Sequence, residues 1–198
     1  MNLLRGSIWR KWDLHIHTPA SYDWDGSCNA TAEDIVKKAI TENLSVIAIT
    51  DHHTVEGIDD IVKAAKGKNI TILPGVELRT DKGNKGIHII GVFDNSVTPK
   101  SIYDKLLCPL KFSEDDIKTI GDKQIYCNFE EACQKIHGLG GLVLLHAGQK
   151  SNGIEQLDSD IRATLKKDLA SLVDIFEISA KKQVEDYRRV VFPKINQE

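Results

Sequence analysis

The chain has 198 residues, 41% of them hydrophobic and 28% charged, which is ordinary globular composition and enough for one sizeable core. A formal net charge of −3 excludes a broadly basic surface that would hold nucleic acid by bulk charge. No apolar run reaches the roughly 18 residues of a membrane span, the start at Met1–Gly6 lacks a long apolar core, and Cys28, Cys108, Cys127 and Cys133 form no C-x-x-C pair, so a reducing, cytoplasmic compartment is expected.

Ile8 and Trp9 are expected against the bottom of the fold, and Trp12 in the core. A first strand is expected over about 12–17. Its alternation sets Leu14 and Ile16 on one face and Asp13, His15 and His17 on the other. Residues 19–27 are rich in turn formers and acids. Thr31 with Asp34 resembles a capping box, opening a helix to about Asn43. The apolar run 45–50 has the pattern of a strand buried on both faces and stops at Asp51-His52-His53. A helix over about 55–66 ends at Gly67. A third strand, 70–78, ends in Glu77-Leu78, and residues 86–93 return as a fourth. Helices are expected near 99–107, 113–119 and 129–137, then a buried strand from Leu142 ending at His146. A helix over 161–172, a strand over 173–178 and a last helix over 182–191 complete the pattern. Apolar strands alternating with helices predict an α/β fold with a mainly parallel sheet.

The recurring event is a metal-capable residue at or near the end of a buried strand. His15 and His17 end the first, His52 follows the second, Glu77 ends the third and His146 the fifth. In parallel α/β folds the strand C-termini converge on the functional face. Mixed imidazole and carboxylate donors suit zinc, manganese or iron better than calcium. This many donors predicts two or three ions, with Glu77 able to bridge two of them.

These residues fall in ordered motifs. Asp13-Leu14-His15-Ile16-His17-Thr18, Ile49-Thr50-Asp51-His52, Pro74-Gly75-Val76-Glu77, His88 and Leu145-His146-Ala147-Gly148 resemble those of the PHP (polymerase and histidinol phosphatase) superfamily over about 12–180. The resemblance implies a distorted (β/α)7 barrel with up to three divalent metal ions and a phosphoesterase activity, on nucleotide or nucleic-acid phosphate. It implies His15, His17, His52, Glu77, His88 and His146 as ligands. Asp23, six residues after His17, stands where the family often has another, with Asp25 as its competitor. His15, His17, His52, Glu77 and His146 are the expected catalytic set, and Arg79 and Lys150 are candidate phosphate contacts.

One departure is plain: the family's final Asp-x-His has no counterpart after Glu177. The expectation is therefore a single PHP domain over 1–198 that is a fragment of a longer protein, with a barrel incomplete at its C-terminus. Residues 6–21 and 146–152 also resemble PHP proteins fused to a P-loop ATPase. No G-x-x-x-x-G-K-[ST] occurs, which places any ATPase part beyond residue 198. The alternative is a non-catalytic PHP module serving metal binding or partner-domain regulation; a weaker one is an amidohydrolase-like enzyme acting at carbon. Asp13 and Asp51 are expected to orient neighbouring ligands. His53 is expected to be a loop residue beside the true ligand, and His137 a helix C-terminal residue. Glu177, if buried in its strand, needs a partner, and its place relative to the site stays open.

Overall fold

The computed structural model describes residues 9–83, 86–147, 153–154, 168, 171–178 and 180–191. Lys150 lies outside them, as does nearly all of the helix expected over 161–172. The elements run β1 (Lys11–Ile16), α1 (Ala32–Thr41), β2 (Leu44–Ile49), α2 (Ile58–Ala65), β3 (Thr71–Arg79), β4 (His88–Val92), α3 (Pro99–Ile102) continuing into a π-helical turn (Tyr103–Leu107), α4 (Glu114–Ile120), α5 (Phe129–Gly138), β5 (Leu142–Ala147), β6 (Ile175–Ile178) and α6 (Lys181–Asp186). The α1 capping box forms as expected, with Thr31 and Asp34 bonding reciprocally.

The six strands make one sheet in sequential order. Its pairings are parallel between β1, β2 and β3, antiparallel from β3 to β4 to β5, and parallel again between β5 and β6. Five of the six strands therefore run the same way, which is the mainly parallel sheet expected, and β4 alone runs back along β3, as the return of residues 86–93 implied. The sheet curls, because Glu177 on β6 reaches His15 on β1 at 2.9 Å. The result is a mixed α/β fold around a half-barrel.

Each strand sorts its side chains by alternation. On the outer face Ile47, Ile49, Val76, Leu78, Ile89, Val143 and Leu145 pack against Val36, Ile58, Ile61, Phe129 and Ile136 of the helices. On the inner face Ala48, Ile90, Val92 and Leu144 form a small apolar floor, with Leu14, Leu73 and Ile175 at its margin. Above that floor the inner face turns polar.

β1 departs from simple alternation. Asp13 pairs with Ile47 but Ile16 pairs with Ile49, so three steps of β1 span two of β2. The extra residue is a bulge at Leu14–His15. Leu14 consequently packs on the inner floor and Ile16 on the outer core, instead of both sharing one face as simple alternation predicts. His15 stays inside beside Leu14, and the Asp13 carboxylate accepts the His15 backbone N–H at 3.2 Å across the bulge. A second correction concerns the tryptophans: Trp9 is 96% exposed and Trp12 55% exposed, so neither is core. Trp12 lies in β1, at the edge of the described sheet, and Trp9 just ahead of it, where only one side is covered.

Ile90 is fully buried on the inner floor, whereas Ile40 on α1 is largely open. Ile90→Ala should cost about 2–5 kcal/mol of unfolding free energy. Ile40→Ala should cost less than about 1 kcal/mol. Urea unfolding of the two variants checks this, and equal losses would contradict the placement of the inner floor.

Candidate metal centre

Glu77 sits on the inner face of β3 with 1% of its surface exposed. Burying a carboxylate is costly unless charge and hydrogen bonds meet it. Here imidazoles meet it. His15 Nε2 lies 2.8 Å and His17 Nε2 2.9 Å from Glu77 Oε2, while His88 Nδ1 lies 2.7 Å and His146 Nε2 3.3 Å from Oε1. His52 Nε2 stands 3.5 Å from Glu77 and 3.5 Å from Asp23 Oδ2. Asp23 Oδ1 is 3.3 Å from His17 Nδ1 and accepts the Ser21 hydroxyl, which in turn accepts the His52 backbone N–H at 2.8 Å.

The fold explains the convergence. His15 and His17 come from the end of β1, His52 from just past β2, and Glu77 from β3. His88 opens the antiparallel β4 opposite Arg79, and His146 lies in β5 opposite Glu177 of β6. Thr18 donates its backbone N–H and its hydroxyl, at 2.7 Å, to Asp51. This fixes the loop after His17 against the loop before His52. Gly57 backs the bond, since a Cβ there would meet Thr18 Oγ1 at 2.1 Å.

All seven expected donors, His15, His17, Asp23, His52, Glu77, His88 and His146, are thus brought together. Asp25 stays outside, exposed and bonded to the Ser27 backbone N–H at 2.8 Å. His137 also stays outside, paired with Asp174. Glu77 does not end its strand; β3 continues to Arg79, which shares the inner face. Arg79 borders the cluster, with Nε 3.4 Å from His88 Nε2.

Three participants were not assigned from sequence. Glu177 Oε2 lies 2.9 Å from Nδ1 of both His15 and His146. The only signal for it was an acid inside an apolar strand. His53 is a buried hub with positive φ (58°), its Nδ1 2.8 Å from Asp122 Oδ1 and its Nε2 accepting the Arg79 backbone N–H at 3.3 Å. Asp122 lies in a short 3-10 turn at Asp122–Gln124, and nothing in its sequence context points to a site.

The electrostatics follow from this packing. Burial opposes a charge on His15, but the Glu177 and Glu77 carboxylates outweigh it and push its pKa up to about 9. His17 and His146 move upward for the same balance of reasons. Burial alone would raise the Glu77 carboxyl; the imidazoles of His146, His15, His17 and His88 hold it well below the usual carboxylate range. Burial drives His52 down to about 4 against the pull of Glu77 and Asp23, so it is neutral at pH 7.

This donor chemistry fits a divalent cation. Four triads qualify by distance: His15/His17/Glu77, His15/His146/Glu177, His17/Asp23/His52 and His52/Glu77/His88. His15 and His17 point Nε2 at each other across 3.1 Å, an arrangement in which one proton or one shared cation must sit between lone pairs. Among the described residues the buried His52 Nδ1 has no hydrogen-bond partner. Neutral imidazole and ionised carboxylate are the metal-binding forms of these side chains.

A curled α/β half-barrel with a histidine and carboxylate cluster on its inner face is a scaffold whose donors could hold divalent cations. Residues 13–192 match the family model of the PHP domain, and the chain belongs to that family. A 5'-3' exoribonuclease from Haemophilus influenzae is 38% identical over 91 residues, 46% of this chain and 31% of the relative. A 3',5'-nucleoside bisphosphate phosphatase from Chromobacterium violaceum is 31% identical over 80 residues, 40% of this chain and 26% of the relative. The chain thus covers less than a third of either relative's length. Among solved structures, one from Bifidobacterium adolescentis assigned as a metal-dependent phosphoesterase superposes with a TM-score of 0.62 at 18% identity, covering 93% of this chain and 84% of the other. Among the described residues no helix is long and apolar enough to cross a membrane.

Two expectations follow. With no cation present, and against the opposing effect of burial, the Glu177 and Glu77 carboxylates raise the His15 pKa from 6.5 to about 9, above neutral pH, so His15 is charged there. Its contribution to metal-free stability is complete below about 6.5 and is lost as pH rises through about 9. Cation binding must displace that proton, so titrating manganese or zinc into weakly buffered protein at pH 7 should release protons, and affinity should rise with pH. Metal uptake without proton release would contradict the assignment of His15. Glu177→Ala frees the Nδ1 side of His15 and His146 and should weaken metal binding by about 10- to 100-fold. Competition with a chelator measures this; unchanged affinity would make Glu177 a bystander.

Proposed function

We propose that this chain is a metal-dependent phosphoesterase acting on the phosphate of a nucleotide or nucleic-acid end. The observation that carries the reading is the convergence of five histidines on one buried carboxylate, Glu77, on the inner face of the sheet. The phosphatase and exoribonuclease relatives support the substrate class. In this reading the sheet belongs to a distorted (β/α)7 barrel, and its donor set holds two or three zinc, manganese or iron ions.

His15, His17, Asp23, His52, Glu77, His88 and His146 are the ligands. Bound cations supply Lewis acidity and positive charge against the phosphoryl oxygens. The chain's own groups do the rest. Glu177 holds a proton on Nδ1 of His15 and of His146, which leaves Nε2 of both aimed at the Glu77 side. Glu77, shielded from water, keeps its charge because the imidazoles face it. Asp23, with 43% of its side chain exposed, is the donor nearest solvent and marks where substrate enters.

The test joins metal content to turnover in the full chain. Replacing His15 and His17 together with Asn should lower metal-free stability but keep the fold, since neither side chain supplies the apolar packing and His52, His88 and His146 still face Glu77, while removing at least one ion by elemental analysis. Hydrolysis of nucleoside bisphosphates and short RNA ends should fall by at least about 100-fold, the scale of losing a charge-stabilising group. Wild-type protein that binds metal fully yet hydrolyses no phosphoester would instead support the non-catalytic module. Retained metal in the double variant would defeat the ligand assignment.

A further inference from the structure

We propose that Arg79 and Tyr126 form a nucleoside-phosphate subsite at the mouth of the metal centre, Arg79 gripping the phosphate and Tyr126 stacking the base. The proposal rests on the phosphoesterase reading for its substrate class, but its own residues lie outside the ligand set.

Arg79 follows Glu77 by two residues on the same inner face of β3, so its side chain rises directly above the cluster. It is held in place from several directions. Its Nη1 donates to the Asp122 backbone carbonyl at 2.5 Å and its Nε points at His88 Nε2. Its guanidinium carbon stands 5.8 Å from the centroid of the Tyr126 ring. Gly86, at φ +75°, makes room for the stem: a Cβ there would meet Arg79 Cγ and Tyr126 Cε1 at 2.7 Å each. Any larger residue would push both side chains away, and the positive φ itself suits glycine.

What Arg79 lacks is as informative as what it holds. Among the described residues its guanidinium meets a carbonyl, an imidazole and a ring, and no carboxylate within ion-pair distance. The nearest acid, Asp122, directs its carboxylate to His53 instead, at 2.8 Å. A fixed, partly buried guanidinium kept clear of carboxylates and beside a phosphoester centre retains N–H donors for an anion. Guanidinium matches phosphate oxygens in a planar, two-pronged fashion that a lysine cannot reproduce. Tyr126 is 45% exposed although it is one of the chain's few large aromatic side chains. An open ring beside a phosphate-binding cation is the usual arrangement for stacking a nucleobase, and such stacking tolerates any base.

His53 and Asp122 are positioning residues for this subsite. His53 takes the Arg79 backbone N–H and binds the Asp122 carboxylate, while the Asp122 carbonyl takes the Arg79 side chain. The turn at Asp122–Gln124 is thereby tied to the end of β3.

The experiment uses manganese-loaded full chain, with metal content by elemental analysis and ligand binding by calorimetry. The probes are inorganic phosphate and adenosine monophosphate. Arg79→Met should weaken both by about 10- to 100-fold, the scale of a charge-assisted hydrogen bond, with metal content and melting temperature unchanged. Arg79→Lys should recover only part of that loss. Tyr126→Leu should weaken adenosine monophosphate by at least about 5-fold and leave inorganic phosphate unchanged. Wild-type binding of phosphate by Arg79→Met, or a loss that tracks lost metal, overturns the clamp. Equal loss of both probes in Tyr126→Leu overturns the base platform. Wild-type protein that binds both probes through these residues but turns over no phosphoester defeats the phosphoesterase reading and leaves the subsite standing.

Discussion

Everything in this molecule turns on one buried carboxylate. Glu77 is almost fully withdrawn from water, and an isolated ionised carboxylate there would cost far more than a domain of this size has in net stability. The chain meets the cost by bringing imidazoles from β1, β4, β5 and the loop after β2 to within 2.7–3.5 Å of its two oxygens. His15, His17 and His146 are the rings whose pKa values rise against Glu77, and the elements that carry them are held in one arrangement around it.

That arrangement needs two departures from a regular barrel. The bulge in β1 places Leu14 on the apolar floor and still leaves His15 and His17 facing inward, which strict alternation cannot do for both Leu14 and His15. The reversal of β4 carries His88 in beside Glu77 from the opposite direction, opposite Arg79. Glu177 then spans from β6 to His15 and His146, so each of these two rings lies between carboxylates, Nδ1 toward one and Nε2 toward the other. A histidine so held has neither its tautomer nor its ring angle free, and that is the condition for a preorganised binding site.

Much of this was readable in the sequence. Five of the seven expected donors, His15, His17, His52, Glu77 and His146, lie at or near the end of an apolar strand, and strand order alone brings such ends together, whereas Asp23 and His88 were legible only through the family resemblance. The strand and helix positions were legible for the same reason: apolar periodicity and caps such as Thr31 are local. What was hidden depends on non-local geometry. The bulge has no local marker, since Trp12 to Thr18 reads as a clean alternating strand. Glu177 reads as an acid within a strand until the sheet curls and sets it against β1. Trp9 and Trp12 look like core by their size, but an edge strand leaves one side open. His53 reads as the spare of two adjacent histidines; its role emerges only when Asp122, nearly seventy residues on, folds against it.

The bond between His15 and Glu177 joins residues 162 positions apart. Chains are made from the N-terminus, and loop closure over such a separation comes late. For part of its life a growing chain presents His15, His17, Asp23, His52, Glu77 and His88 with neither His146 nor Glu177 yet available to complete the shell. Until β6 docks, Glu177 cannot fix the Nδ1 side of His15 and His146, so the orientation of both rings is settled only by the last strand of the sheet.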